Sequence, residues 1–171
     1  HQIVRSIQAL TFEFDGSLYR TITDQKGLTA ILVFGLYPKA HQEDAARAVY
    51  SIFAIRKEIR KLGFALSGGL SSGVVFSTFL GFERRDIAIL GDSVHMSYLL
   101  MLAAIKEKEK KILMSESTKI SSEDKVAFKP FSNVSYKGRL AEENLFEPVE
   151  FAEEFPATPV NFNRFPELQT H

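Results

Sequence analysis

The residue types that carry covalent or acid–base chemistry are unevenly supplied in this 171-residue chain. Cysteine is absent, which removes thiolate nucleophiles, Cys-ligated zinc and disulfides together. Glycines and polar residues gather in residues 66–101, LSGGLSSGVVFSTFLGFERRDIAILGDSVHMSYLLM. Glycine accepts backbone conformations and close approaches that other residues do not, so an extended chain bends or admits another group there. Gly91-Asp92-Ser93 offers a turn and an N-cap for a helix from about residue 94. His95 lies just inside that helix, either as a pH-responsive donor or as a core or interface histidine. Asp24, in Asp24-Gln25-Lys26-Gly27, reads by itself as a hairpin-turn aspartate, and Lys137 before Gly138 as a surface turn cation.

Composition narrows the function classes. The chain has 21 basic and 21 acidic residues, so no global field favours nucleic acid or an anionic membrane. Hydrophobic residues make 45% and charged residues 25%, values that fit a globular domain with a sizeable core. No apolar run approaches the ~20 residues of a membrane span. The lack of cysteine fits the cytoplasm or another reducing intracellular compartment. The chain opens His1-Gln2-Ile3-Val4 with no signal-like segment and is expected to be a piece of something longer.

These groups need positioning elements, and the apolar periodicity supplies them. Ile3, Val4, Ile7 and Leu10 form a helical stripe over residues 1–10, with loose alternation at 11–15 ended by Gly16. Residues 18–23 and 28–35 read as two strands joined by the polar loop ending at Gly27. A helix is expected over 42–62, with Ala45, Ala48, Val49, Ile52, Ile55, Ile59 and Leu62 on one face, a basic last turn and Gly63 as its stop. Residues 66–101 then give three strands and a helix carrying Val94, Leu99, Leu102 and Ala103, which runs out near 105 into a solvated charge run. A short strand at 112–114, a Ser/Thr-capped turn of helix at 115–120, one or two strands over 126–136 and a last strand at 145–151 follow. Pro148 is expected to confine that last strand to an edge or a bulge. The order α–β–β–α–β–β–β–α–β–α–β–β, without regular βαβ alternation, points to an α+β fold with a mixed or antiparallel sheet and helices packed against it. Pro156, Pro159 and Pro166 mark residues 152–171 as an extended tail or linker after a domain at 1–151.

Four blocks in this order resemble the class III nucleotidyl cyclase domain, and within it the second cyclase domain of bicarbonate-regulated soluble adenylyl cyclases. RTITDQKGLTAILVFGLY (20–37) resembles the family's lysine-bearing hairpin, with one residue more than its pattern. SGGLSSGVVFSTFLG (67–81) resembles G-I-x-S-G-x-V-x-x-G-x-x-G, and RRDIAILGDSVHMSYLLM (84–101) resembles Y-x-V-x-G-D-x-V-N-x-A-x-R-M. YKGRLAEENLFEPVEF (136–151) resembles the closing K-G-x-x-x-P-V-x-x-F strand. The resemblance implies the ferredoxin-like cyclase fold lacking its first strand, head-to-tail pairing with another cyclase homology domain, and conversion of ATP to cyclic AMP and pyrophosphate with Mg2+ or Mn2+.

Residue by residue, the resemblance implies a weakened site. Arg20 falls at the purine-reading Lys, and a planar guanidinium is not a conservative exchange for a point charge. Asp24, four residues on, falls at the second metal Asp. Ala88 falls at the purine-contacting Asp or Thr and has no acceptor; Asp86 substitutes only in a displaced register. His95 stands at the ribose-orienting Asn and Leu99 at the phosphate-stabilising Arg. Lys137 keeps the family's polyphosphate Lys. The implied role is a degenerate half of a cyclase dimer with a regulatory or partner function; the alternative is a purely structural pseudo-cyclase interaction module. Residues 163–168 faintly resemble the start of the NTPase module that follows paired cyclase domains, and a linker toward further domains is the plainer expectation.

Overall fold

The computed structural model of the protein describes residues 2–25, 27–81, 86–132, 140 and 143–149. Its elements run α1 (Gln2–Glu13), β1 (Ser17–Asp24), β2 (Gly27–Val33), α2 (Asp44–Lys61), β3 (Gly68–Leu70), β4 (Phe76–Leu80), β5 (Asp86–Leu90), α3 (Asp92–Lys106), β6 (Ile112–Ser115), α4 (Glu116–Ile120), β7 (Phe128–Phe131) and β8 (Leu145–Pro148). The order is the one periodicity predicts, and the architecture is α+β, with antiparallel and mixed sheets and helices packed against strands. The chain forms two compact units that divide within α2, one reaching Ile55 and the other running from Arg56 to Phe151. The expected tail, residues 152–171, lies outside the described residues.

In the first unit α1 packs on β1, and β1 pairs antiparallel with β2. The helix runs further than the apolar stripe suggests, through Thr11 to Glu13. Thr11 is fully buried, and its hydroxyl donates to the Ile7 carbonyl at 2.6 Å, so a polar residue enters the core stripe beside Ile7 and Phe14 without an orphaned group. The helix then stops at Asp15, which takes a left-handed φ of 61°, while Gly16 N–H bonds the Thr11 carbonyl at 2.9 Å.

The second unit is built on a four-stranded mixed sheet in the order β3-β6-β8-β7, in which β3 and β6 are parallel and the other pairs antiparallel. Pro130 sits on β7, the outer strand, where a missing N–H costs nothing. Pro148 departs from expectation, because β8 lies between β6 and β7 rather than at an edge. Pairing with β6 covers only Leu145 and Phe146, so at Pro148 one flank of β8 is already unpaired and tolerates the proline. Helix α3 covers β3 and β6, and Met96, Leu100, Ala103, Ala104, Leu113 and Leu145 form the core, with Phe131 and Leu140 packed against it. Burial of the helices also differs from the predicted faces. Val49, Ile55 and Ile59 are buried on α2 as expected, but Ala46 and Phe53 are buried too, while Ala45, Ala48 and Ile52 are only half-buried; on α3, Met96 and Leu100 are buried where Leu99 and Leu102 are half-buried. Apolar residues run nearly all round α3, so the neighbouring strands choose the inward face.

Two glycines set how closely α3 approaches its neighbours. A Cβ at Gly69 of β3 would fall on the Ser97 carbonyl oxygen and the Met101 amide nitrogen of α3. A Cβ at Gly91 would meet the Val74 carbonyl oxygen at 2.8 Å and Val75 Cγ1 at 3.1 Å. Gly91 itself is the N-cap of α3 with extended backbone and no side-chain cap bond; Asp92 and Ser93 are already inside the helix rather than capping it. The predicted cap at the next helix does form, since Ser115 Oγ accepts from Thr118 N–H.

Candidate functional site

Arg20 and Asp24 are placed by the β1–β2 hairpin. The register steps from Leu18–Leu32 to Arg20–Ile31, so β1 carries one extra residue, Tyr19, as a bulge. Beyond it the ladder is regular to Asp24–Gly27, and the alternation puts Arg20, Ile22 and Asp24 on one face of β1. All three are exposed, and the Arg20 guanidinium lies 5.3 Å from the Tyr19 ring centroid. Four residues of strand separate Arg20 from Asp24 by about 13 Å, so the two can line one groove but cannot grip one group.

The same unit holds a charged node that the sequence reading passed over. Asp15 Oδ2 is 3.0 Å from Arg47 Nη1 and 3.3 Å from His41 Nε2, and Lys39 Nζ approaches Oδ1 at 4.0 Å. Arg47 also reaches Glu43 Oε1 at 3.0 Å, one helical turn away. That hydrogen bond from Arg47, followed by the bond to Glu43's own backbone, holds the Glu43 carboxyl below its ordinary range. The signal available in the sequence was an aspartate before Gly16, which marks a helix end and says nothing about partners 32 residues away.

Ala88, His95 and Leu99 belong to the second unit. The β4–β5 ladder runs without a shift from Phe76–Leu90 to Leu80–Asp86, with Ala88 half-buried opposite Thr78. The displaced register that would bring Asp86 to the Ala88 position does not occur. His95 and Leu99 are one turn apart on α3 and share a ridge beside its buried face. His95 is exposed, which takes it out of the core, and Leu99 is half-buried. Lys137 lies outside the described residues.

Around these positions the second unit exposes large apolar groups. Val74 is 95% exposed, the cross-strand pair Phe76 and Leu90 are 65% and 61% exposed, and Tyr98 on α3 is 52% exposed. Strand periodicity alone reads such residues as core, because β-branched and aromatic types signal burial whichever partner provides it. At the other ends of β3 and β6 a hydroxyl network joins the loops: Ser115 Oγ contacts Ser117 Oγ at 2.8 Å and Thr118 Oγ1 at 3.2 Å, Ser72 Oγ donates to Thr118 Oγ1 at 3.1 Å, and Ser117 Oγ donates to the Ser72 carbonyl at 2.8 Å.

Asp24 is the sequence-predicted ligand, and among the described residues no group of three His, Asp or Glu side chains comes together to hold a metal ion. The described residues therefore do not by themselves make up a cation site. Among them also, no helix is long and apolar enough to cross a membrane.

No protein-family model and no curated protein sequence matches the chain. Solved structures do match. An adenylyl cyclase from P. aeruginosa aligns over 90% of this chain and 82% of its own, at 17% identity and a TM-score of 0.69. The guanylate cyclase domain of RhGC from Catenaria anguillulae, in complex with GTP, aligns over 86% and 80%, at 20% identity and 0.69. A non-canonical dimeric guanylyl cyclase domain of the RhoGC fusion protein from the aquatic fungus Blastocladiella emersonii aligns over 86% and 79%, at 18% identity and 0.66. These neighbours are adenylyl and guanylyl cyclases or cyclase domains, and the likeness is one of fold.

Proposed function

We propose that this chain is one half of a head-to-tail cyclase pair in cyclic AMP synthesis from ATP, supplying a pairing face and a regulatory or partner role rather than the whole chemistry. The observation that carries this reading is the exposed apolar set of Val74, Phe76, Leu90 and Tyr98. Large apolar groups left in water mark an interaction surface, and the domain of one fold neighbour is described as a non-canonical dimer, which supports pairing as such rather than its head-to-tail form. In this reading residues 1–151 form the cyclase homology domain and 152–171 a linker.

The resemblance assigns Arg20 to the purine and Lys137 to the polyphosphate. It assigns Asp24 to a metal ion, Mg2+ or Mn2+. Leu99 replaces a cation with a hydrocarbon that cannot stabilise charge on phosphate. Loss of one such donor costs about 10²–10³ in rate, so any site lined by Leu99 is crippled. Ala88 offers the adenine amino group no acceptor. His95 is the remaining group on that ridge able to hydrogen-bond a ribose.

The test is cyclase activity of the chain co-expressed with candidate partner cyclase domains. Leu99→Arg with His95→Asn is expected to raise cyclic AMP output in the productive pair. Cyclic AMP production by the chain alone as a homodimer would refute the degenerate-half reading. Failure to bind ATP analogues with Mn2+, both alone and with every partner that pairs, would favour the second reading, a purely structural interaction module. That second reading rests on the same exposed apolar set, which pairing requires and chemistry does not.

A further inference from the structure

Two serine or threonine residues of the chain have an acid three places on, Thr21 before Asp24 and Ser121 before Asp124. Thr21 lies inside the β1–β2 ladder opposite Ala30, where the backbone is already paired. Ser121 is the C-cap of α4, at the start of a run of turns through Lys125, and it is exposed. Its neighbour gives the contrast: Ser122 is fully buried and its Oγ donates to the Thr118 carbonyl at 2.7 Å. The Ser121 hydroxyl takes part in no hydrogen bond among the described residues. Glu123 and Asp124 follow, both exposed, so the segment offers one open hydroxyl ahead of two carboxylates.

Acids after a short helix can be no more than a solvated turn, so the neighbouring charges and the cost of opening have to be weighed. Two lysines flank the segment. Lys119 Nζ lies 3.3 Å from Glu123 Oε2 and 4.9 and 5.6 Å from the Phe128 and Phe146 ring centroids, which draws it back from solvent. Lys125 is exposed and has an interaction of its own. The charges balance in number but not in position. Both carboxylates stand two and three places after the hydroxyl, and both lysines lie outside that pair. Opening the segment exposes little apolar surface, because Ile120 is already 59% exposed and Ser122 alone is buried among residues 120–125. A helix of five residues has no stability of its own, so this opening is local rather than global.

We propose that Ser121 is a phosphoacceptor for an acid-directed serine/threonine protein kinase, and that the added phosphate loosens α4. In the transfer Ser121 Oγ bonds the γ-phosphorus of ATP and the bond from that phosphorus to the bridging oxygen breaks. ADP leaves, and the hydroxyl proton passes to the kinase's catalytic carboxylate. Glu123 and Asp124 supply the charge pattern that the basic substrate groove of such an enzyme selects. The product adds a charge of about −1.5 to −2 at the C-terminal end of α4, which already presents partial negative charge, and beside two carboxylates. Helix α4 in turn holds the loop after β3, because Ser117 Oγ donates to the Ser72 carbonyl at 2.8 Å and Ser72 Oγ to Thr118 Oγ1 at 3.1 Å. The site uses none of the residues assigned under the cyclase reading and is independent of it.

The whole folded chain is treated with Mg-ATP and a casein kinase 2 type enzyme, beside a basic-directed kinase, and phosphate is mapped by tandem mass spectrometry. One phosphate is expected, on Ser121, from the acid-directed enzyme. Asp124→Asn should lower kcat/KM for the transfer at least about tenfold, because a charge-assisted contact with the enzyme is lost. Ser121→Ala should remove the phosphate and leave circular dichroism unchanged, as the side chain is exposed. In the phosphorylated chain, amide hydrogen exchange at Ser121 and Ser122, whose N–H groups close the end of α4, should quicken about two- to fivefold. The proposal is overturned if phosphate goes mainly to Thr21 or elsewhere, or if only the urea-unfolded chain is modified. It is overturned equally if Asp124→Asn is phosphorylated as fast as the parent, or if the basic-directed enzyme is the faster. Exchange that is unchanged or slower after phosphorylation refutes the loosening of α4.

Discussion

Replacing Gly69 with alanine tests the packing that positions α3, and through it His95 and Leu99. The added methyl would fall on two backbone atoms of the helix, the Ser97 carbonyl oxygen and the Met101 nitrogen, and lie 2.8 Å from Leu100 Cβ. Backbone atoms cannot rotate away, so α3 must withdraw by about 1 Å to restore ordinary contact distances of 3.5–4.0 Å. Such a gap forfeits roughly a quarter to a half of each affected dispersion contact, and Leu100 is fully buried at the centre of the core. Overpacking of this kind costs about 1–3 kcal/mol, and a rigid obstacle puts it at about 3. Alanine also restricts the unfolded chain, which returns about 0.4–1 kcal/mol, leaving a net loss near 2. For a chain of this length that is a melting-temperature drop of about 4–8 °C. Urea unfolding of Gly69→Ala beside Gly73→Ala supplies the control, because a Cβ at Gly73 would meet Ser93 Cβ at 3.2 Å, a contact relieved by a shift of only a few tenths of an ångström. If Gly69→Ala unfolds within about 0.5 kcal/mol of the parent, the close approach of β3 and α3 does not constrain the helix as argued.

Other perturbations test separate features. Phe76→Asp with Leu90→Asp should abolish pairing with a partner domain in sedimentation velocity while leaving far-UV circular dichroism unchanged, as both side chains are exposed. Glu147 is 3.1 Å from Lys111 and 3.2 Å from Lys129 with only 16% of its side chain exposed, so Glu147→Gln leaves two cations facing each other and should cost about 1–3 kcal/mol in urea unfolding. Arg47→Met should return the Glu43 carboxyl upward to its ordinary range in a side-chain NMR titration. Because the folded protein holds that carboxyl low, its contribution to stability is present above the unfolded value and lost as pH falls through the lowered one; the variant should lack that acid-side loss. Thr11→Val should show whether the 2.6 Å bond to Ile7 matters, with an expected change under about 1.5 kcal/mol because the hydroxyl and its desolvation are removed together.

The order of elements was legible because it depends on local causes. Glycine and proline mark where strands and helices must stop, apolar periodicity separates α2 and α3 from the strands around them, and Ser115 caps α4 through an interaction three residues long. The candidate positions Arg20, Asp24, Ala88, His95 and Leu99 came from the resemblance of single hairpins and one helix to a family pattern, and that pattern is local as well. Which face each element buries was not legible in the same way. Leu99 and Leu100 are equally apolar neighbours, and only the approach of β3 and β6 turns Leu100 inward and leaves Leu99 at the rim. Tertiary structure also decided that Asp15 meets Arg47 and His41, that Pro148 falls where β6 has already ended, and that Ser117 meets the Ser72 carbonyl. Each joins residues far apart in the chain, and sequence records the residue types for such meetings but not the distances that close them.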